Sequence, residues 1–160
     1  MERLWAPWRM EYLTQPKQAG CIFCQQGEGR DLLVLRQTPL ARVMLNRYPY
    51  ANGHLLVSPH RHTPELGELS DAEMLELLKS ADLCRRILTR VSAPDGFNLG
   101  MNLGRAAGAG IADHLHMHVV PRWNGDNNFM SVVADVRVLP EALLATYDRL
   151  LPWFAAEEGE

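Results

Sequence analysis

From residue 114 to residue 118 the chain alternates histidine with an apolar residue: His114-Leu115-His116-Met117-His118. Successive side chains on an extended strand point to opposite faces. A period of two therefore puts three imidazoles on one face and Leu115, Met117 and Val119 on the other. The apolar face asks for a core. The imidazole face does not suit one, because each ring brings two nitrogens that need partners once water is removed. Residues 114–122 are thus expected to form a strand whose one face packs while the other is given to chemistry. All six histidines fall in this stretch or in a second one that holds His54, His60 and His62.

The other elements are read around this strand. Ser70-Asp71-Ala72-Glu73 has the spacing of a capping box at a helix start. Met74, Leu77, Leu78, Ala81, Cys84, Leu88 and Val91 follow at helical spacing up to Ser92-Ala93-Pro94, which predicts one long helix. Apolar runs at 32–35 and 40–46, divided by Thr38-Pro39, predict a strand, a turn and a strand; 54–59 and 97–103 predict two more. A shorter helix is expected from Pro140 through Leu151, with Leu143, Leu144, Tyr147 and Leu151 as its stripe. Residues 1–20 read as an arm anchored by Trp5, Trp8 and Tyr12. Strands do not alternate with helices here. The expected class is α+β, an antiparallel sheet of about five strands with one long helix and a shorter C-terminal helix. With no repeat or Pro/Gly-rich linker, residues 1–160 read as one domain, 140–160 being the C-terminal helix and tail.

Charge and cysteine usage narrow the function. Sixteen Lys+Arg against nineteen Asp+Glu give a net −3, so no basic field argues for a nucleic acid polymer or an anionic membrane. A small anion such as a nucleotide needs only local groups. No run approaches the ~18 apolar residues of a membrane span, and the first residues lack the apolar core of a signal peptide. Three cysteines, an odd number, do not make a secreted disulfide framework and point to a reducing cytoplasm. Cys84 lies in the helical pattern and reads as core. Cys21-Ile22-Phe23-Cys24 has the spacing of a metal half-site or a redox pair, and Gln25-Gln26-Gly27-Glu28-Gly29 does not supply the helix a redox pair needs.

A histidine row suggests metal first. Strand neighbours two apart are separated by roughly 6–7 Å, awkward for three ligands converging on one zinc at ~2.0–2.1 Å. One histidine on a metal and the others on chemistry is the easier geometry. A neutral imidazole is a competent nucleophile toward phosphorus when its second nitrogen is held by an acceptor.

The segment from Leu103 to Arg122 resembles the signature of the histidine triad family of nucleotide hydrolases and transferases. Asn46-Arg47-Tyr48-Pro49-Tyr50-Ala51-Asn52-Gly53-His54 and the Pro59-His60-Arg61-His62 that closes the next strand resemble the family's other motif region. Trp5-Ala6-Pro7-Trp8-Arg9 and Pro121-Arg122-Trp123-Asn124-Gly125-Asp126-Asn127-Asn128-Phe129 are similar to the bacterial branch that contains diadenosine tetraphosphate phosphorylases.

The resemblance implies roles residue by residue. His116, on an exposed strand position, would attack the α-phosphorus of a nucleotide and form a nucleotidyl-histidine; His118 would contact phosphate oxygens. Asn46 would hold ribose hydroxyls and Asn102 a phosphate. Gly108, Ala109, Gly110 and Ile111 would form the phosphate loop, where glycines let backbone N–H groups approach an anion. His54 would orient the triad from behind, the alternative being a satisfied buried histidine. Cys21, Cys24, His62 and His114 would bind a structural zinc as a closed Cys2His2 set, leaving His60 facing solvent.

Where relatives carry Gln and then Ser or Thr, this chain has Gly110 and Ile111, so a hydroxyl able to assist an amine leaving group is missing. The expected substrate is a dinucleoside polyphosphate such as diadenosine tetraphosphate, and the family implies a homodimer with joined sheets. The alternatives are a nucleoside phosphoramidate hydrolase, a catalytically weak nucleotide-binding protein, and a zinc-knuckle interaction module.

Overall fold

A computed structural model describes residues 20–126 and 141–157. The expected anchors Trp5, Trp8 and Tyr12, the helix start at Pro140, and Asn127 to Phe129 lie outside these residues. Five strands form one antiparallel sheet: β1 Val34–Gln37, β2 Ala41–Leu45, β3 Leu55–Pro59, β4 Gly96–Met101 and β5 Met117–Arg122, in the order β1-β2-β3-β5-β4. The long helix α1 spans Asp71–Ser92 and the C-terminal helix α2 spans Leu143–Ala156. Among the described residues no helix is long and apolar enough to cross a membrane.

Local chemistry accounts for the element ends. The Thr38 hydroxyl accepts the Ala41 N–H at 3.0 Å and closes the β1–β2 hairpin. Both halves of the Ser70/Glu73 capping box are formed, and Arg61 adds a 3.0 Å ion pair to the Glu73 carboxylate. Helix α1 stops at Ala93, which takes the left-handed conformation, ahead of Pro94. The turn before β3 depends on Gly53: its φ is +75°, and a Cβ there would lie 2.9 Å from Leu88 Cδ2.

The main core lies between the sheet and the helices. Val43, Leu45, Leu55, Val57, Leu115, Met117 and Val119 meet Leu77, Ala81, Cys84, Ile87 and Leu88 of α1, with Tyr147, Leu150 and Phe154 of α2 completing it. The Tyr147 hydroxyl donates to the Val34 carbonyl at 2.9 Å and fastens α2 to β1. The opposite sheet face carries a smaller apolar cluster of Phe23, Val34, Met44 and Leu56.

Three expectations need correction. Leu78 is 59% exposed, and Ile87 and Leu83 are buried in its place, so α1 is rotated from the face read off its apolar residues. In α2 Leu144 and Leu151 are exposed while Thr146, Leu150 and Phe154 are buried. The ladder of β5 starts at Met117, not at residue 114. The β3–β5 ladder ends at the Val57–Met117 pair although β3 runs on to Pro59, and the Leu115 N–H reaches the Thr63 carbonyl at 2.8 Å instead. The alternation survives ahead of the ladder, with Leu115, Met117 and Val119 all in the core.

These placements give opposite expectations for two leucines on one helix. Leu88→Ala should cost ~2–5 kcal/mol, whereas Leu78→Ala should stay within about 0.5 kcal/mol. Urea unfolding of the two variants checks the assignment; equal losses would contradict it.

Candidate functional site

The sheet register creates the site. Met44 pairs with Leu56, Leu56 with His118, and His118 with Gly100, so His118 sits in a row on the face away from α1. Gly100 leaves open space on its outer side. His54, at the entry to β3, stands behind His118 with its ring fully buried.

Hydrogen bonds fix the tautomers of this pair. The Tyr50 N–H donates to His54 Nδ1 at 3.0 Å, and the Asn46 amide nitrogen stands 3.2 Å from the same atom. A backbone N–H can only donate, so Nδ1 of His54 bears the lone pair and its proton resides on Nε2. Nε2–H then donates to His118 Nδ1 at 2.9 Å. His118, neutral, is left with its proton on Nε2, directed outward. That atom stands 3.4 Å from the Asn102 amide nitrogen; two donors cannot pair, so the amide oxygen belongs there. Tyr50 covers the assembly, its ring stacked on His118 at 5.9 Å and tilted against His54 at 4.7 Å.

His116 is 7% exposed, not on an exposed strand position, because Phe23 covers it. Its Nδ1–H donates to the His114 carbonyl at 2.9 Å, so the lone pair is on Nε2. Burial lowers its pKa from the ordinary histidine value, against the opposing effect of that hydrogen bond. A neutral ring with Nε2 free is the form a nucleophile requires.

Cys21, Cys24, His62 and His114 converge from segments far apart in sequence, their ligand atoms all within 4.8 Å of one another. Cys21 Sγ and Cys24 Sγ lie 3.3 and 3.4 Å from His114 Nδ1, Cys24 Sγ lies 3.2 Å from His62 Nδ1, and the two Nδ1 atoms are 3.2 Å apart. Tetrahedral bonds of ~2.3 Å to sulfur and ~2.0–2.1 Å to nitrogen put such donors roughly 3.3–3.8 Å apart. The donor set and its spacing therefore fit a zinc ion. His114 Nε2–H donates to the Pro59 carbonyl at 2.9 Å, which aims Nδ1 into the cluster. His60 stays outside, exposed, its Nε2–H donating to the Thr38 carbonyl at 2.8 Å.

The loop after β4 carries Gly108, Ala109, Gly110 and Ile111. The Ala107 and Gly108 N–H groups bond to Gly104 and Arg105 within a single 3-10 turn, so the Gly108 amide is not directed at an anion. Ile111 packs on the smaller apolar cluster. Asn46 turns inward, its Oδ1 accepting the Tyr48 N–H at 3.0 Å. Three residues of the site were given no role in the sequence reading. Tyr50 and Phe23 hold imidazoles, and the buried Arg42 donates to the Gln25 carbonyl at 2.7 Å beside the knuckle. The position of Phe23 between the two cysteines was a signal for it; an isolated arginine on a strand was not one for Arg42.

A family model for the HIT domain matches residues 29–125. The chain is 40% identical over 158 residues to an AP-4-A phosphorylase of Mycobacterium tuberculosis, spanning 91% of this chain and 80% of that protein. A histidine triad nucleotide-binding protein from Sulfolobus tokodaii, described as hypothetical, superposes with a TM-score of 0.66 at 25% identity, over 86% of this chain and 94% of that one. A zinc-bound histidine triad family protein from Mycobacterium smegmatis shares the fold, with a TM-score of 0.64 at 23% identity over 79% of this chain and 86% of that one.

Burial, with His118 and His116 adding to it, pushes His54 down to about 3, and burial followed by His116 pushes His118 down to about 4. An unfolded histidine titrates near ~6.5. Below that value the unfolded chain takes protons that the native rings refuse, so stability is full above it and falls as pH drops toward the native values. Urea unfolding should therefore give a lower midpoint at about pH 5 than at about pH 7.5, a window above the ordinary carboxylate range. A flat profile, or ring NMR signals of His54 and His118 that protonate at pH 5.5, would contradict this.

Proposed function

The chain belongs to the HIT domain family, and from that premise we propose that it is an enzyme that cleaves dinucleoside polyphosphates such as diadenosine tetraphosphate at an α-phosphorus. The observation that carries this reading is the state of His116: neutral, its Nδ1–H tied to a backbone carbonyl, its Nε2 lone pair free. Nε2 attacks the α-phosphorus, a nitrogen–phosphorus bond forms, and the bond from phosphorus to the bridging oxygen breaks. With diadenosine tetraphosphate the leaving group is ATP. Inorganic phosphate or water then takes the nucleotidyl group, giving ADP or AMP, and His116 is restored.

The neighbours support this chemistry. His118 carries its proton on Nε2, which a phosphate oxygen would take over from the Asn102 amide oxygen, and its tautomer is held through His54 by the Tyr50 backbone. Donors aimed in advance at developing charge stabilise such a transition state without reorganising. Ile111 has no proton for an amine leaving group, whereas a polyphosphate leaves as a stabilised anion. We therefore expect cleavage of diadenosine polyphosphates to be favoured over phosphoramidate hydrolysis. In the same reading Asn46 would have to swing outward from Tyr48 to meet a ribose, and Asn102 meets phosphate. The amides after Gly108 form the anion side of the loop.

Cys21, Cys24, His62 and His114 would hold zinc, which when bound supplies a closed cross-link with no open coordination position. The reading also includes a homodimer: β4 is an edge strand, and Leu99 and Leu103 are exposed on and beside it. The three cysteines are all free, as a reducing cytoplasm would keep them.

The test is to mix the protein with diadenosine tetraphosphate, with and without phosphate, and to identify the products. ADP plus ATP marks phosphorolysis and AMP plus ATP marks hydrolysis. His116→Ala should lower turnover by at least ~10³-fold, and adenosine phosphoramidate should be a substrate at least ~10-fold poorer in kcat/KM. A near-normal rate in His116→Ala would overturn the reading.

Purified protein should carry about one zinc per chain, the capacity of a single four-ligand site. Cys24→Ser should lower both metal content and Tm. Metal-free protein with an unchanged Tm would remove zinc from the assignment.

A further inference from the structure

We propose that Phe23 is a positioning residue for His116, so that the Cys21–Cys24 knuckle aims the imidazole as well as joining distant segments. The inference rests on the reading of His116 as the nucleophile. One hydrogen bond, Nδ1–H to the His114 carbonyl, holds the ring at a single nitrogen. The terminal torsion of histidine is broad, so that bond alone does not fix the ring plane.

The plane is set by its neighbours. Phe23 stacks on His116 with centroids 4.9 Å apart and 30° between the planes, while His118 meets it edge-on at 5.0 Å and 63°. Phe23 thus supplies the flat contact of the described residues. The same ring touches His114 at 5.1 Å, so it is wedged between a cluster residue and the imidazole two positions later.

Phe23 itself has little freedom. It lies within the tight turn in which the Cys24 N–H bonds the Cys21 carbonyl at 3.1 Å. Arg42, buried beneath, donates to the carbonyls of Gln25 at 2.7 Å and Phe23 at 3.5 Å. Val34, Met44 and Leu56 pack against the ring from the sheet. A shift of the knuckle therefore moves the surface on which His116 rests.

The lone pair on Nε2 lies in the plane of the ring, so a change of tilt takes it off the line to phosphorus. Attack needs reacting atoms ~3–3.5 Å apart and aligned. Phe23 is 2% exposed, its faces taken by histidines and apolar side chains, which leaves almost no surface for substrate. Loss of its flat face should therefore reduce kcat and leave KM nearly unchanged.

The experiment compares Phe23→Leu, which keeps apolar bulk without a flat face, with Phe23→Tyr, which keeps the face. With diadenosine tetraphosphate, Phe23→Leu should lower kcat at least ~10-fold with KM within ~2-fold, and Phe23→Tyr should stay within ~3-fold of wild type in kcat. Nitrogen-15 NMR at pH 7 should show one His116 tautomer, protonated at Nδ1, in wild type and Phe23→Tyr, and a mixture in Phe23→Leu. An unchanged kcat in Phe23→Leu, or a rise in KM alone, overturns the proposal. If wild type does not cleave diadenosine tetraphosphate, the functional reading fails, and the NMR comparison alone decides the role of Phe23. If Phe23→Leu does not fold, Phe23→Met takes its place with the same expectations.

Discussion

Desolvation of the histidine row is the constraint on which the rest of the structure depends. Rings placed between an apolar sheet and covering side chains are held neutral, and every nitrogen without water needs a partner in the protein. The partners found are specific: the Pro59 carbonyl for His114, the His114 carbonyl for His116, and the Tyr50 N–H acting through His54 for His118. Each bond removes one of the two tautomers of its ring. The result is three imidazoles in one row in different states: Nδ1 of His114 facing the cysteines, Nε2 of His116 bearing a lone pair, and Nε2 of His118 bearing a proton that meets the Asn102 amide oxygen.

That differentiation requires rigid supports on both sides of the row. On one side the knuckle brings Cys21 and Cys24 to His114 across 93 and 90 intervening steps of chain, and Phe23 comes with it. On the other side the 46–54 turn is held at Gly53 by its closeness to Leu88, and Asn52 donates to the Glu141 carboxylate at 3.3 Å ahead of α2. The packing of α1 therefore reaches the ring of His54 through a turn with no room for a side chain at its glycine. Fold stability and site geometry share these contacts, so residues such as Leu88 act on both.

Much of this was legible in the amino-acid sequence because it follows from local physics. The capping box, the Thr38-Pro39 hairpin and the period-two alternation are set by neighbours a few residues apart, and each is found where expected. The four cluster residues lie together, and His54 lies against His118. The helix faces were less legible. Leu77 and Leu78 are adjacent apolar residues about 100° apart on a helix, and periodicity cannot say which of them faces a sheet not yet placed. Contact with the sheet and with α2 selects Leu77 and Ile87.

The sequence by itself thus determined the two-faced character of the histidine segment, the residue types of the cluster and the kind of chemistry they permit, because side-chain identity and short-range spacing suffice for these. Tertiary structure alone decided where β5 begins, which nitrogen of each ring is free, how far His116 is buried, and that Phe23, Tyr50 and Arg42 serve the site. Several of those outcomes depend on partners distant in sequence, such as Arg42 on the Phe23 carbonyl and Phe23 on His116, whereas the His116 tautomer is set by the carbonyl two residues before it. A ring's tautomer is set by what stands opposite each nitrogen, and only the packed chain places those groups.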